Sequence, residues 1–198
     1  MVDPLPMEEP TPVRISDKYP AAASLIRKWE SVNQSGKPHL TPYKDYDGES
    51  YVAGYGRTIH SDNKDIPWTN EQSEEDLDVQ MLEGLEDISR LEKELPEGIL
   101  FTELEREALI PFIKNVGYKN LIGTEAVKAL RKGDKERFAF ELFDAEQGFT
   151  KATNEDGDKV LLGGLVTRRG EEAALFFREY NTGGMVQRNP YPYMARPI

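Results

Sequence analysis

Apolar residues recur at helical spacing along most of the chain and alternate only in one short stretch, so the pattern predicts a mostly α protein with a small β element. Residues 21–30, AAASLIRKWE, read as a helix, and the turn formers of SVNQSGKPHLTP end it near Glu30. In YKDYDGESYVAGYGRTIH, Asp47-Gly48 and the β-prone Tyr51, Val52 and Tyr55 predict a hairpin or short sheet, with Gly54 and Gly56 at bends. From Thr69 onward, Leu77, Met81, Leu85, Ile88 and Leu95 predict a long helix over about residues 70–94, opened by a Thr69/Gln72 capping box and closed at Pro96-Glu97-Gly98. Thr102/Glu105 form a second such box before LEREALIPFIKNVG, while Thr124 and Asp134 cap two further helices. A turn at Asp156-Gly157 leads through Val160 and Leu161 into the helical LVTRRGEEAALFFREY. Residues 1–20 and 181–198, rich in Pro or in Gly and Pro, read as irregular arms around one domain spanning 21–180.

Composition narrows the chemistry. The 198 residues carry a net charge of −11, two His and no Cys, which excludes disulfides, thiolate metal sites and cysteine nucleophiles. No apolar run approaches a membrane span, and the acidic, proline-containing MVDPLPMEEPTPV lacks the pattern of a signal peptide. The negative charge argues against nucleic-acid binding, although it is concentrated in residues 62–107, which hold sixteen acids and four bases. Residues 114–137 are locally basic, with seven bases against three acids.

Carboxylates, tyrosines and bases are the reactive groups that remain, and two carboxylic groups suffice for glycoside hydrolysis. Glu30 follows Leu25, Ile26 and Trp29, where partial burial would raise its pKa as a general acid requires; it reads equally as a solvated helix-end glutamate. Asp45 is either a carboxylate on the lip of the hairpin or a turn former. Arg168-Arg169 reads as an anion site or as an ordinary ion-paired face.

Five ordered motifs run from about Ala23 to Glu179: Trp29-Glu30; Leu40-Thr41-Pro42-Tyr43-Lys44-Asp45-Tyr46-Asp47-Gly48; Val52-Ala53-Gly54-Tyr55-Gly56; Asn115-Val116-Gly117; and Gly164-Leu165-Val166-Thr167-Arg168-Arg169-Gly170-Glu171-Glu172. In this order they resemble the phage-type lysozymes, glycoside hydrolase family 24. The resemblance implies a lysozyme-like α+β fold: a small N-terminal lobe with a short sheet, a long connecting helix and a helical C-terminal lobe, with bacterial peptidoglycan in the cleft between. It implies Glu30 as general acid and Asp45 as the group that positions and activates water for cleavage between N-acetylmuramic acid and N-acetylglucosamine, with Tyr55, Arg57 and Asn115 binding substrate and no metal or cofactor. It further implies synthesis in a host cytoplasm and action on the periplasmic wall, delivered through a holin or carried by virion proteins that engage the arms. A family member without catalysis would be a module that binds peptidoglycan or a structural part of the virion.

Four positions depart from the family pattern. The water-holding Thr is replaced by Val52, with Ser50 the nearest hydroxyl and Thr58 the next; Ser31 replaces a Gly, Arg57 a His, and the loop from Glu30 to Asp45 is about six residues longer.

Overall fold

The computed structural model describes residues 13–45, 49–146, 148–153 and 158–178. Two short helices open the fold, α1 (Ile15–Lys18) and α2 (Pro20–Trp29), followed by β1 (His39–Lys44), β2 (Tyr51–Gly54) and β3 (Arg57–Ile59). The rest is α3 (Asn70–Lys93), α4 (Glu103–Val116), α5 (Tyr118–Leu121), α6 (Glu125–Leu130), α7 (Lys135–Phe143), the small strands β4 (Lys151–Thr153) and β5 (Lys159–Leu161), and α8 (Gly163–Phe176). A small sheet, a long helix and a helical lobe thus appear in the expected order. Of residues 1–20, expected to be an irregular arm, 1–12 lie outside the described residues. Helix α1 lies within the remainder, tied to α3 by Arg14 Nε on Asp78 (2.6 Å) and by the Ser16 amide on the same carboxylate (2.8 Å). Residues 181–198 and the Asp47-Gly48 and Asp156-Gly157 turns lie outside the described residues.

Local chemistry explains where the helices begin. Thr69 accepts from the Gln72 amide while the Gln72 side chain accepts from the Thr69 amide, and Thr102 and Glu105 repeat the exchange at α4. Thr124 and Asp134 cap α6 and α7. Helix α2 has no such cap of its own. Pro20 sits where its missing N–H is no loss, and the Glu107 carboxylate of α4 accepts from the Ala21 amide (2.7 Å) and the Ala22 amide (3.4 Å). A side chain of a different helix therefore sets the start of the helix that carries Glu30.

Strands β1, β2 and β3 form an antiparallel sheet in sequence order, and β4 pairs with β5. Register places Tyr43 opposite Val52 and Val52 opposite Thr58, so these three share one face of the sheet. The apolar core lies mainly in the helical lobe, where Phe112 of α4 meets Phe143 and Phe149 edge-on. Tyr55, next to β2, and Arg27 of α2 are both tied to α3 through Glu74, Arg27 Nη2 at 2.5 Å and Tyr55 Oη at 2.8 Å.

Gly84 lies in the interior of α3 facing α4, and a Cβ there would meet the Ile110 side chain at 3.5 Å, an ordinary contact. Gly84→Ala is therefore expected to stabilise the fold by about 0.5–1 kcal/mol through helix propensity, read as a higher urea midpoint.

A carboxylate clamped at the junction of three helices

Glu30 is the residue at which α2 ends, and a fifth of its side chain is exposed. Two cations hold it. Arg168 of α8 donates from Nη1 to Oε1 at 2.8 Å, and Lys114 Nζ of α4 lies 3.6 Å from the same oxygen. Burial alone would push Glu30 upward, but the Lys114 ammonium and the Arg168 guanidinium outweigh it and hold the carboxyl below its ordinary value. The rise expected from its apolar neighbours is thus reversed, because sequence showed the neighbours in α2 and not the cations from α4 and α8. Lys114 is itself pushed down, by burial first and by Arg168 and Arg57 in addition, against the opposing pull of Glu30.

Arg168 is fully engaged, which makes it a rigid partner. Its Nε bonds Glu172 at 3.2 Å and its Nη2 donates to the Pro111 carbonyl at 3.1 Å. Pro111 removes one helical hydrogen bond within α4, and the carbonyl of this locally altered turn receives the arginine. Arg169 pairs with Glu172, stacks over Phe112 at 4.6 Å and bonds the Asn115 side-chain oxygen. Of the two readings of Arg168-Arg169, the ion-paired one holds.

Asp45 is exposed just beyond β1, its amide donating to the Ser50 carbonyl at 2.8 Å. The exposed Tyr43 relates the two carboxylates: burial raises its phenol, and the charges of Asp45 and Glu30 both add to that. Tyr43 therefore lies within electrostatic reach of each. Thr58, opposite Val52 on the same sheet face, presents an exposed hydroxyl beside a cavity of about 310 Å3 that is also lined by Gly56, Arg57, Gln80, Glu83, Asp87 and Lys114.

The expected substrate-binding residues separate. Arg57 lines the cavity. Tyr55 does not meet the expectation: it is 2% exposed, its hydroxyl bonds Glu74 and the Gly36 carbonyl (3.1 Å), and burial with Glu74 pushes it up to about 12, so it supports the sheet. Asn115 has its side-chain oxygen taken by Arg169 and serves the buried ion cluster. Sequence reasoning passed over Lys114, Tyr43 and the direct role of Arg168. A signal for Lys114 was present, since it closes the apolar run from Ala108 to Ile113 and lies on the face of Ile110 and Pro111.

A long helix joining a small sheet lobe to a helical lobe, with a clamped carboxylate at their junction, defines a lysozyme-like protein. The chain belongs to the phage lysozyme family, whose model matches residues 18–172. At family level it is a glycoside hydrolase acting on peptidoglycan. Its fold is shared with the muramidase domain of SpmX from Asticaccaulis excentricus (23% identity, 79% of this chain and 94% of that one, TM-score 0.62). Also similar are an endolysin from Escherichia coli O157:H7 phage FAHEc1 (24%, 80% and 92%, 0.60) and the active form of the P1 phage endolysin Lyz (22%, 82% and 86%, 0.60). No curated protein sequence matches the chain.

Gly56 makes the clamp possible. Its φ is +81°, and a Cβ there would lie 2.9 Å from both Glu30 Oε2 and Lys114 Nζ. Gly56→Ala is expected to cost about 1–2 kcal/mol from backbone strain alone and to weaken the Glu30–Lys114 contact, measured by denaturant unfolding and by the Glu30 titration point. Protonation gives a second check. Because the folded-state pKa of Glu30 lies below its reference of 4.5, the stabilisation from its ion pairs is fully present above about pH 4.5 and is lost as pH falls through the folded value. The stability difference between wild type and Glu30→Gln should shrink accordingly as pH is lowered below 4.5, measured by urea unfolding across the acid range.

Proposed function

We propose that the chain hydrolyses the β-1,4 bond between N-acetylmuramic acid and N-acetylglucosamine, with Glu30 as general acid and Asp45 positioning and activating the water. What supports this reading is the match to the phage lysozyme family together with Glu30 held where α2, α4 and α8 converge. Glu30 would protonate the glycosidic oxygen as the bond to the sugar carbon breaks. Asp45 would take a proton from the water that attacks that carbon from the opposite face, with inversion. Thr58 and Ser50 are the hydroxyls proposed to steady that water where Val52 cannot.

The clamp sets a condition on this chemistry. Each pH unit by which Glu30 titrates below the working pH makes its protonated form tenfold scarcer, about 1.4 kcal/mol. The acid must therefore gain its proton after glycan enters, when solvent leaves and the charge around Glu30 changes.

A second reading, a cleft that binds glycan without cutting it, is favoured by Val52 and by the ionised Glu30. Both readings are tested by incubating the protein and its Glu30→Gln variant with isolated peptidoglycan and identifying products by mass. Reducing-end muropeptides from the wild type, reduced about 10²–10⁴-fold in the variant, support the muramidase. Anhydro products overturn hydrolysis in favour of transglycosylation, and binding without products from either protein overturns catalysis.

A further inference from the structure

Lys114 closes the apolar run of α4 and keeps a tenth of its side chain exposed, and among the described residues Glu30 is the one carboxylate in ion-pair contact with it. Burying an ammonium is costly, and an ion pair formed in that setting adds little net stability. Arg168 differs. It is bonded to Glu172 and to the Pro111 carbonyl, so the helical lobe fixes its place independently of Glu30. The fold thus accounts for Arg168 and leaves the charge of Lys114 to be explained through Glu30.

The two cations also divide the carboxylate. Arg168 Nη1 and Lys114 Nζ both address Oε1, at 2.8 and 3.6 Å. Oε2 receives no hydrogen bond from the described residues and lies against Gly56, where a Cβ would stand 2.9 Å away. Lys114 is faced by Glu30 at the end of α2, Arg168 from α8 and Arg57 from β3. Glu30 is faced by Lys114, by Arg168 and by Tyr43 from β1, and its charge reaches Arg169 of α8. Glu83 and Asp87 of α3 line the cavity that Lys114 borders, but they are paired with Arg57 and Arg90, each at 3.1 Å. The ammonium therefore acts chiefly on Glu30.

We propose that Lys114 is a positioning residue that acts through Glu30: with Arg168 it engages Oε1, leaves Oε2 to carry and deliver the proton, and by its charge confines the acid to the lower part of the pH range. The proposal deepens the muramidase reading and rests on Glu30 as the general acid. The alkaline limb of kcat/KM against pH follows the acid of the free enzyme. An ammonium beside a carboxylate favours its charged form, so the limb lies at lower pH with Lys114 than without it. Arg168 still bonds Oε1 when Lys114 is replaced, so the carboxylate keeps its place while one of its two positive neighbours is removed. Loss of the lysine charge is thus a gain of activity toward higher pH, the opposite of what loss of a merely structural contact produces.

The test follows initial muropeptide release from isolated peptidoglycan at limiting concentration across pH. It compares the full chain with Lys114→Met, Lys114→Arg and, as a second neutral replacement, Lys114→Gln, each checked for native near-ultraviolet circular dichroism. The neutral variants should move the alkaline limb to higher pH and raise kcat/KM beyond the wild-type limb roughly tenfold, whereas Lys114→Arg should keep the limb near its wild-type place. A limb that stays put in a natively folded neutral variant, or that moves as far in Lys114→Arg, would overturn the proposal. Carboxyl-labelled NMR, with the Glu30 signal assigned from Glu30→Gln, gives a reading that needs no turnover. The Glu30 titration point should rise in Lys114→Met and not in Lys114→Arg, and an unmoved titration point in Lys114→Met overturns the role of Lys114. Failure of the cleavage reading is separately visible: a raised titration point without muropeptides from any of the proteins keeps the control of Glu30 by Lys114 and removes the catalysis.

Discussion

The placing of Glu30 depends on one buried cluster of charges, in which Glu172 lies between Arg168 and Arg169. Burial pushes the fully enclosed Glu172 upward against the pull of both guanidiniums and leaves it above its ordinary value, while burial lowers the enclosed Arg169. Taking such groups out of water costs several kcal/mol per ion, so the cluster is a weak source of net stability. It does provide fixed direction. With Glu172 and the Pro111 carbonyl taking bonds from Nε and Nη2, the remaining nitrogen, Nη1, holds Glu30.

The position of α2 follows from the same logic of anchoring by another helix. Glu107 receives the first amides of α2, and two turns further along α4 Lys114 meets the residue where α2 ends. Lys28 and Trp29, in the last turn of α2, both bond Glu171 of α8. Glu74 of α3 gathers Arg27 and Tyr55, tying the last turn of α2 and the end of β2 to the long helix. Glu30 therefore sits where α2, α4 and α8 converge, held by polar contacts around a largely aromatic and aliphatic core.

Helix starts were readable in the sequence because a capping box is local: Thr69 with Gln72 and Thr102 with Glu105 need only three residues of separation, and both form. The clamp was not readable in this way. Arg168 and Glu30 are 138 positions apart, and an arginine in a charged helix pattern carries no label for a distant partner. Tyr55 shows the opposite difficulty. A motif placed it near the site, but an aromatic ring with a hydroxyl satisfies a cleft wall and a buried hydrogen-bonded position equally well, and only the enclosing Glu74 and Gly36 decide. The N-x-G motif drew attention to Asn115 and away from Lys114 beside it, although a lysine sharing the face of a buried apolar run needs an anionic partner or a polar opening, and here it has both.

The two cations on Glu30 have different physical roles. Arg168, with a planar head committed to three acceptors and 5% of its side chain exposed, supplies the position and cannot leave without breaking the buried cluster. Lys114, a point charge on a flexible stem at the longer distance of 3.6 Å, borders the cavity and adds attraction without a fixed direction. The guanidinium therefore decides where the carboxylate sits, and the two cations together hold it below its ordinary value against the burial that would raise it.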